Sequence, residues 1–240
     1  MKCAAVILAG GSGKRMGLKV PKQYMELGGK PVLFYSLNTF SKAEFIDEIV
    51  IVADEEHMED VQSGIVDLYG FHKVLSVVKG GKERYHSVAR GLEALSRDTD
   101  YVFIHDGARP FVSSYTIERC LHYVKKHRAA VAAVKSKDTV KIADDDNMIV
   151  STPDRSRVWQ VQTPQTFEYL LIRDAYRRLI DDEDRLKTAG ISVTDDTMVA
   201  KMYTDIDARL VESSYNNIKL TTPEDMESAE GILERIIKAD

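Results

Sequence analysis

The sequence predicts an α/β fold, a mostly parallel sheet with helices on both faces. Short β-branched runs with hardly a polar break recur as far as Val134, and amphipathic segments separate them. Strands apolar on both sides belong to a parallel sheet covered on both faces. Glycine- or charge-rich segments follow several of these runs, and right-handed crossovers bring such segments to one sheet edge, where doubly wound folds bind ligands.

The strands expected in order are Ala4–Leu8, Glu48–Ala53, Val74–Val78, Tyr101–His105 and Ala129–Val134. The intervening helices are Pro31–Phe40, Glu55–Tyr69, Arg84–Leu95 and Ser114–His127. After Val134 the pattern changes. Thr139–Ala143 and Met148–Thr152 flank the polar turn Asp144-Asp145-Asp146-Asn147, which predicts a projecting β-hairpin. Exposed β-branched residues on such an arm suit an oligomer contact. Further helices are expected at Thr166–Ile180 and Asp195–Met202, and Arg209–Glu212 and Ile218–Leu220 can return to the sheet. Thr222 as N-cap and Pro223 in the first turn start a closing helix that runs to about Lys238. One domain over residues 1–240 is expected, with the arm at about 137–160.

The chain has 240 residues, 44% hydrophobic, enough for a sizeable core. Its 33 basic and 38 acidic residues give a net charge of −5, which disfavours a nucleic-acid binder. An anionic ligand must therefore meet a local basic cluster. Cys3 and Cys120 make neither a disulfide framework nor a four-cysteine metal site. The first apolar run is too short for a signal peptide core, and none is long enough for a membrane span. A cytoplasmic protein without membrane or nucleic-acid partners is expected.

The first strand leads into Ala9-Gly10-Gly11-Ser12-Gly13-Lys14-Arg15-Met16-Gly17, continuing to Pro21-Lys22-Gln23. The dinucleotide fingerprint fails because Met16 replaces its third glycine and Lys22 stands where an acid is needed. The Walker pattern fails because Arg15 follows Gly13-Lys14 and Leu8 fills its first glycine position. What remains is a glycine loop with cations, suited to a triphosphate; the alternative is a turn with solvated charges. Gly80-Gly81-Lys82-Glu83-Arg84-Tyr85-His86-Ser87 also lies between a strand and a helix. There Ser87 serves either a base or ribose, or the helix start. His105-Asp106-Gly107-Ala108-Arg109 ends the fourth strand, where Asp106 offers a metal or hydroxyl site or pairs locally with Arg109. His86 and His105 lack zinc-ligand spacing, and the acidic run Asp181–Asp184 suits a solvated surface better than a metal.

Taken with Asp138-Thr139-Val140-Lys141, Asp154-Arg155, Thr163-Pro164-Gln165, Thr194-Asp195-Asp196 and Asn217-Ile218-Lys219, these segments resemble the 2-C-methyl-D-erythritol 4-phosphate cytidylyltransferase family over nearly the whole chain. The resemblance implies a Rossmann-like nucleotidyltransferase fold, a homodimer joined through the arm, and CMP transfer from CTP to a sugar-alcohol phosphate with Mg²⁺ or another divalent cation. By position, it makes Arg15, Lys22 and Lys219 catalytic. Ala9, Gly10, Gly11, Gly13, Gly81, Ser87, Asp106 and Gly107 would bind CTP. Asp106, Arg109, Thr163 and Thr194 would face the acceptor, and Thr139 and Arg155 would grip its phosphate from the partner subunit. The metal would sit mostly on phosphate oxygens, with Asp106 as its candidate protein ligand. Gly107 and Lys82 depart from the family's usual alanine and acid; both positions are expected to act through the backbone. The chain ends soon after the closing helix, which disfavours the fused bifunctional form. The rivals are a ribitol 5-phosphate cytidylyltransferase and a catalytically idle nucleotide-binding regulator.

Overall fold

A computed structural model describes residues 1–10 and 21–238. Its central sheet has seven strands in the order β11-β7-β10-β6-β1-β4-β5. These are β1 (Cys3–Leu8), β4 (Ile46–Ala53), β5 (Val74–Lys79), β6 (Tyr101–Asp106), β7 (Ala129–Lys135), β10 (Trp159–Glu168) and β11 (Arg209–Glu212). The strands are parallel to their neighbours except β10, which runs antiparallel to both β6 and β7. From β1 the chain builds outward through β4 to β5, then returns to place β6 on the other side of β1. The order reverses between β1 and β6, and at such a switch point the diverging loops leave a crevice beyond the strand ends.

Alternation along β1 shows why both faces are covered. Cys3, Ala5 and Ile7 join one apolar cluster, while Ala4 and Val6 join the other. The first cluster packs α1 (Val32–Lys42), α2 (Met58–Val61, continued by a π turn to Asp67) and α4 (Ser114–His127). The second packs α3 (Arg84–Glu93), α5 (Tyr169–Asp181), α6 (Glu183–Thr188) and α7 (Asp196–Tyr203). The closing helix α8 (Pro223–Ile237) buries Ala229, Ile232 and Leu233 against Leu27, Val32 and Leu220. It begins, as expected, at Thr222, which forms a capping box with Asp225.

The five expected strands and four expected helices of the first 134 residues are present with ends shifted by a few residues. A short ladder of β2 (Glu26–Leu27) and β3 (Lys30–Pro31) was not expected. The arm is a hairpin of β8 (Ile142–Ala143) and β9 (Ile149–Ser151), with Asn147 at φ 64° in its turn.

Two expectations are corrected. Thr166–Glu168 continue β10, and the helix begins only at Tyr169. These residues pair with β6 and β7 on both sides, and filling that central gap outweighs their local helical pattern. Pro164 concealed the strand; it lies where the β10–β7 register shifts between Val161 and Gln165, so no ladder bond needs its missing N–H. Ile218–Leu220 form no strand, and the segment is fastened instead by the Leu220 amide donating to the Ala108 carbonyl at 2.9 Å. The run Asp181–Asp184 is paired as well as solvated: Asp182 accepts from Arg185 and Tyr203, and Glu183 accepts from Tyr85.

Candidate active site

The carboxyl ends of β1, β4, β5 and β6 are tied together by backbone bonds. Ala9 N donates to Val52 O at 2.7 Å, Gly80 N to Ala53 O at 2.7 Å, and Gly107 N to Leu8 O at 2.8 Å. Lys22 stands in a short turn held against β1, because Gln23 Nε2 and Tyr24 Oη both donate to the Ala9 carbonyl, at 2.6 and 2.8 Å. These two bonds from its neighbours hold the turn that carries Lys22. Arg15, Gly11 and Gly13 lie outside the described residues.

Asp106 ends β6 and gathers three cations. Lys219 Nζ lies 2.8 Å from its Oδ2, Arg84 Nε 3.5 Å from its Oδ1 and Arg109 Nε 3.8 Å from its Oδ2. Burial alone would raise this carboxyl; Arg84, then Lys219 and Arg109, outweigh it and hold Asp106 far below the usual carboxylate range. The local Asp106–Arg109 pair is therefore one part of a larger cluster. Arg109 also donates to the Asn217 carbonyl at 2.8 Å, and the Asn217 amide donates to the Thr163 carbonyl at 2.9 Å. Lys219 is anchored in this way by the segment just before it.

Arg84 bridges two carboxylates. Its guanidinium grips Asp196 at 2.6 and 2.8 Å, and the Tyr176 hydroxyl donates to the same fully buried carboxylate at 2.5 Å. Sequence reasoning marks no role for Arg84 or Asp196, because a pairing across 112 positions has no local signal. Asp195 caps α7, accepting from Met198 N at 2.9 Å.

The glycine turn before α3 is sterically closed. A Cβ on Gly81 would lie 2.2 Å from that of His86. Ser87 Oγ accepts from Gly81 N at 3.0 Å, which ties the first turn of α3 to the glycine turn. The helix cap is Glu83, reciprocated by His86, which leaves Ser87 for this turn. A Cβ on Gly107 would come within 2.8 Å of Leu33 Cδ1 and 3.0 Å of the Leu8 carbonyl. Leu33 thus occupies space an alanine would need.

His105 is fully buried, and burial pushes it down to about 4. Thr163 Oγ1 lies 3.0 Å from its Nδ1 and accepts from Asp106 N at 3.1 Å. A neutral ring donating from Nε2 to the Arg109 carbonyl, 3.2 Å away, and accepting from Thr163 at Nδ1 satisfies both ring nitrogens and the Thr163 hydroxyl.

A model of the 2-C-methyl-D-erythritol 4-phosphate cytidylyltransferase family matches residues 3–235. The chain belongs to this family. A cytidylyltransferase of that name from Lachnospira eligens is 47% identical over 225 residues, covering 94% of this chain and 96% of the relative. One from Clostridium botulinum is 47% identical over 235 residues, covering 98% and 99%. The crystal structure of 4-diphosphocytidyl-2C-methyl-D-erythritol synthase from Anaerococcus prevotii superposes with a TM-score of 0.85 at 35% identity, covering 97% of this chain and 96% of the other.

Of the residues that the cytidylyltransferase resemblance marks, Lys219, Asp106 and Arg109 form one cluster, with Thr163 bonded to the Asp106 amide. Thr163 is itself buried, and its hydroxyl serves His105 and Asp106. Thr194 is exposed just before α7. At the base of the arm Arg155 donates to the Lys137 carbonyl at 3.2 Å, two residues before Thr139. Among the described residues, no hydrogen bond or ion pair links either to Asp106, Arg109 or Lys219.

Proposed function

We propose that this chain transfers CMP from CTP to 2-C-methyl-D-erythritol 4-phosphate, yielding 4-diphosphocytidyl-2-C-methyl-D-erythritol and pyrophosphate. The observation that carries this reading is the Asp106–Lys219–Arg84–Arg109 cluster at the switch point of a chain matched to the family over residues 3–235. An oxygen of the acceptor's phosphate monoester attacks the α-phosphorus of CTP. A P–O bond forms there as the α–β bridge breaks, and pyrophosphate leaves with the electron pair. That oxygen is anionic at neutral pH, so no general base is required. His105, buried and held neutral, is engaged with Thr163 instead.

Catalysis is then positioning and charge stabilisation. Lys22 and Arg15 meet the triphosphate, and Lys219 holds the α-phosphate. Asp106, ionised throughout the neutral range, accepts from ribose hydroxyls and keeps Lys219 at the reacting end. Gly81, Ser87 and Gly10 face cytosine, while Arg109 and Thr194 face the acceptor.

Among the described residues, no three His, Cys, Asp or Glu side chains converge as metal ligands, and Asp106 already has three cationic neighbours. This donor set fits a divalent cation carried by the triphosphate oxygens, with Asp106 supplying at most one ligand. When bound, such an ion would neutralise charge on the pyrophosphate.

Ile142, Met148, Ile149 and Val150 expose large apolar side chains along the arm. This supports a homodimer in which each arm brings Thr139 and Arg155 to the other subunit's acceptor phosphate. No helix among the described residues is long and apolar enough to cross a membrane, in keeping with a cytoplasmic enzyme.

Pyrophosphate release from CTP, measured against a panel of sugar-alcohol phosphates, tests the reading. Turnover is expected with methylerythritol phosphate and a divalent cation. CTP binding without pyrophosphate release from any acceptor would leave the idle regulator.

A further inference from the structure

Helices α3 and α5 frame a cleft of about 800 Å³, within the usual range for a small-molecule site. Ala89, Ala94 and Ile180 supply an apolar floor with the buried Tyr176 beneath it, and in the polar lining Arg90, Arg173 and Arg177 outnumber Glu93 and Asp181. None of these residues is among those proposed to contact CTP or the acceptor. Arg177 is neutralised by Glu93 through bonds of 2.7 and 3.0 Å. Arg90 differs. Its Nη1 donates to the Gly80 carbonyl at 2.5 Å and the Lys79 carbonyl at 3.4 Å, and no carboxylate among the described residues pairs with it. A guanidinium without a counter-charge beside an apolar floor suits an anion that carries a short hydrocarbon tail.

Two sets of bonds join this cleft to the nucleotide side. Arg90 holds the carbonyl of Gly80, next to Gly81. Tyr176 donates to Asp196, which grips Arg84, whose Nε lies 3.5 Å from Asp106. An anion captured by Arg90 would draw the guanidinium from Gly80 and release the turn that faces cytosine.

We propose that the α3–α5 cleft binds an organic phosphate with a short apolar tail, and that its occupancy weakens CTP binding through Arg90 and Gly80. The coupling rests on the reading above, in which the Gly80–Gly81 turn faces CTP; binding in the cleft does not. Hexyl phosphate, titrated calorimetrically into the intact chain without CTP, tests the site first. Saturable binding is expected, about tenfold or more tighter than for inorganic phosphate or 1-hexanol, because head and tail each contribute. Ala89→Leu, which fills the floor, should abolish that binding and leave CTP affinity unchanged. Saturating hexyl phosphate should raise the Kd for CTP about three- to tenfold, and CTP should raise the Kd for hexyl phosphate by the same factor. Arg90→Gln should remove this coupling.

Equal binding of inorganic phosphate, or hexyl phosphate binding unaffected by Ala89→Leu, would overturn the site. An unchanged CTP Kd in saturating hexyl phosphate would overturn the coupling. Failure of CTP to bind at all would count against the proposed function, while the first titration would still decide the cleft.

Discussion

Lys22 and His105 lie close to the same strand ends but answer to different physics. Lys22 is placed by Gln23 and Tyr24 and would act on charge that develops only as the α-phosphate is attacked. Lys22→Ala is therefore expected to lower kcat by about 10²–10³-fold, well beyond any rise in KM, with the melting temperature nearly unchanged. A near-parental kcat would remove Lys22 from the mechanism. For His105, burial moves the ring from 6.5 to about 4. Between these values the unfolded chain binds the extra proton and the folded chain does not, so stability falls as pH falls through that window, by up to about 3 kcal/mol. Asp106 adds its own loss only below its unfolded value of 3.8, because its folded value is depressed. His105→Asn should flatten the loss between pH 6.5 and 4 in urea melts; an equally steep loss in the variant would show that another group titrates there. Little of this was legible residue by residue. Asp106 is marked by its place at a strand end and Lys219 by resemblance, whereas the roles of Tyr176 and Asp196 depend on contacts made only after folding.

At the scale of elements, local pattern succeeded where a segment's environment is uniform along its length. β1, Ile49–Ala53 of β4 and Val102–Ile104 of β6 are buried on both faces and read as unbroken apolar runs. β10 mixes exposed Gln160 and Val161 with buried Gln162–Phe167 and contains Pro164, so neither a two-residue period nor a continuous run announced it. The arm was legible from its polar turn, and its exposed apolar residues carry the expectation of a dimer. Ile149→Asp with Val150→Lys is expected to convert a dimer to a monomer in sedimentation equilibrium and to raise KM for the acceptor. A variant that remains dimeric would place the subunit contact elsewhere.

For the whole molecule, the proposal requires each acceptor site to be completed by two chains. Mixing inactive Arg155→Ala with inactive Lys22→Ala subunits should then restore activity, because a heterodimer owns one site with both residues intact. No recovery, despite demonstrated subunit exchange, would put Arg155 in its own chain's site or outside any site. The overall architecture was the most legible level, since alternating apolar and amphipathic segments constrain a doubly wound sheet strongly. Acceptor choice is the least legible. The glycine loop is expected to serve either alcohol phosphate, and Lys141 of the resembling segment Asp138–Lys141 donates at 2.8 Å to Thr152 within the exposed arm.

The central claim is the pairing of CTP with methylerythritol phosphate, and competition tests it most directly. With CTP and equal concentrations of methylerythritol phosphate and ribitol 5-phosphate, the ratio of the two initial product rates gives the ratio of kcat/KM. A site built to bond particular hydroxyls discriminates far more strongly than the about 1–3 kcal/mol a methyl group supplies, so the methylerythritol product should form faster by at least about a hundredfold. Faster formation of CDP-ribitol would contradict the substrate assignment.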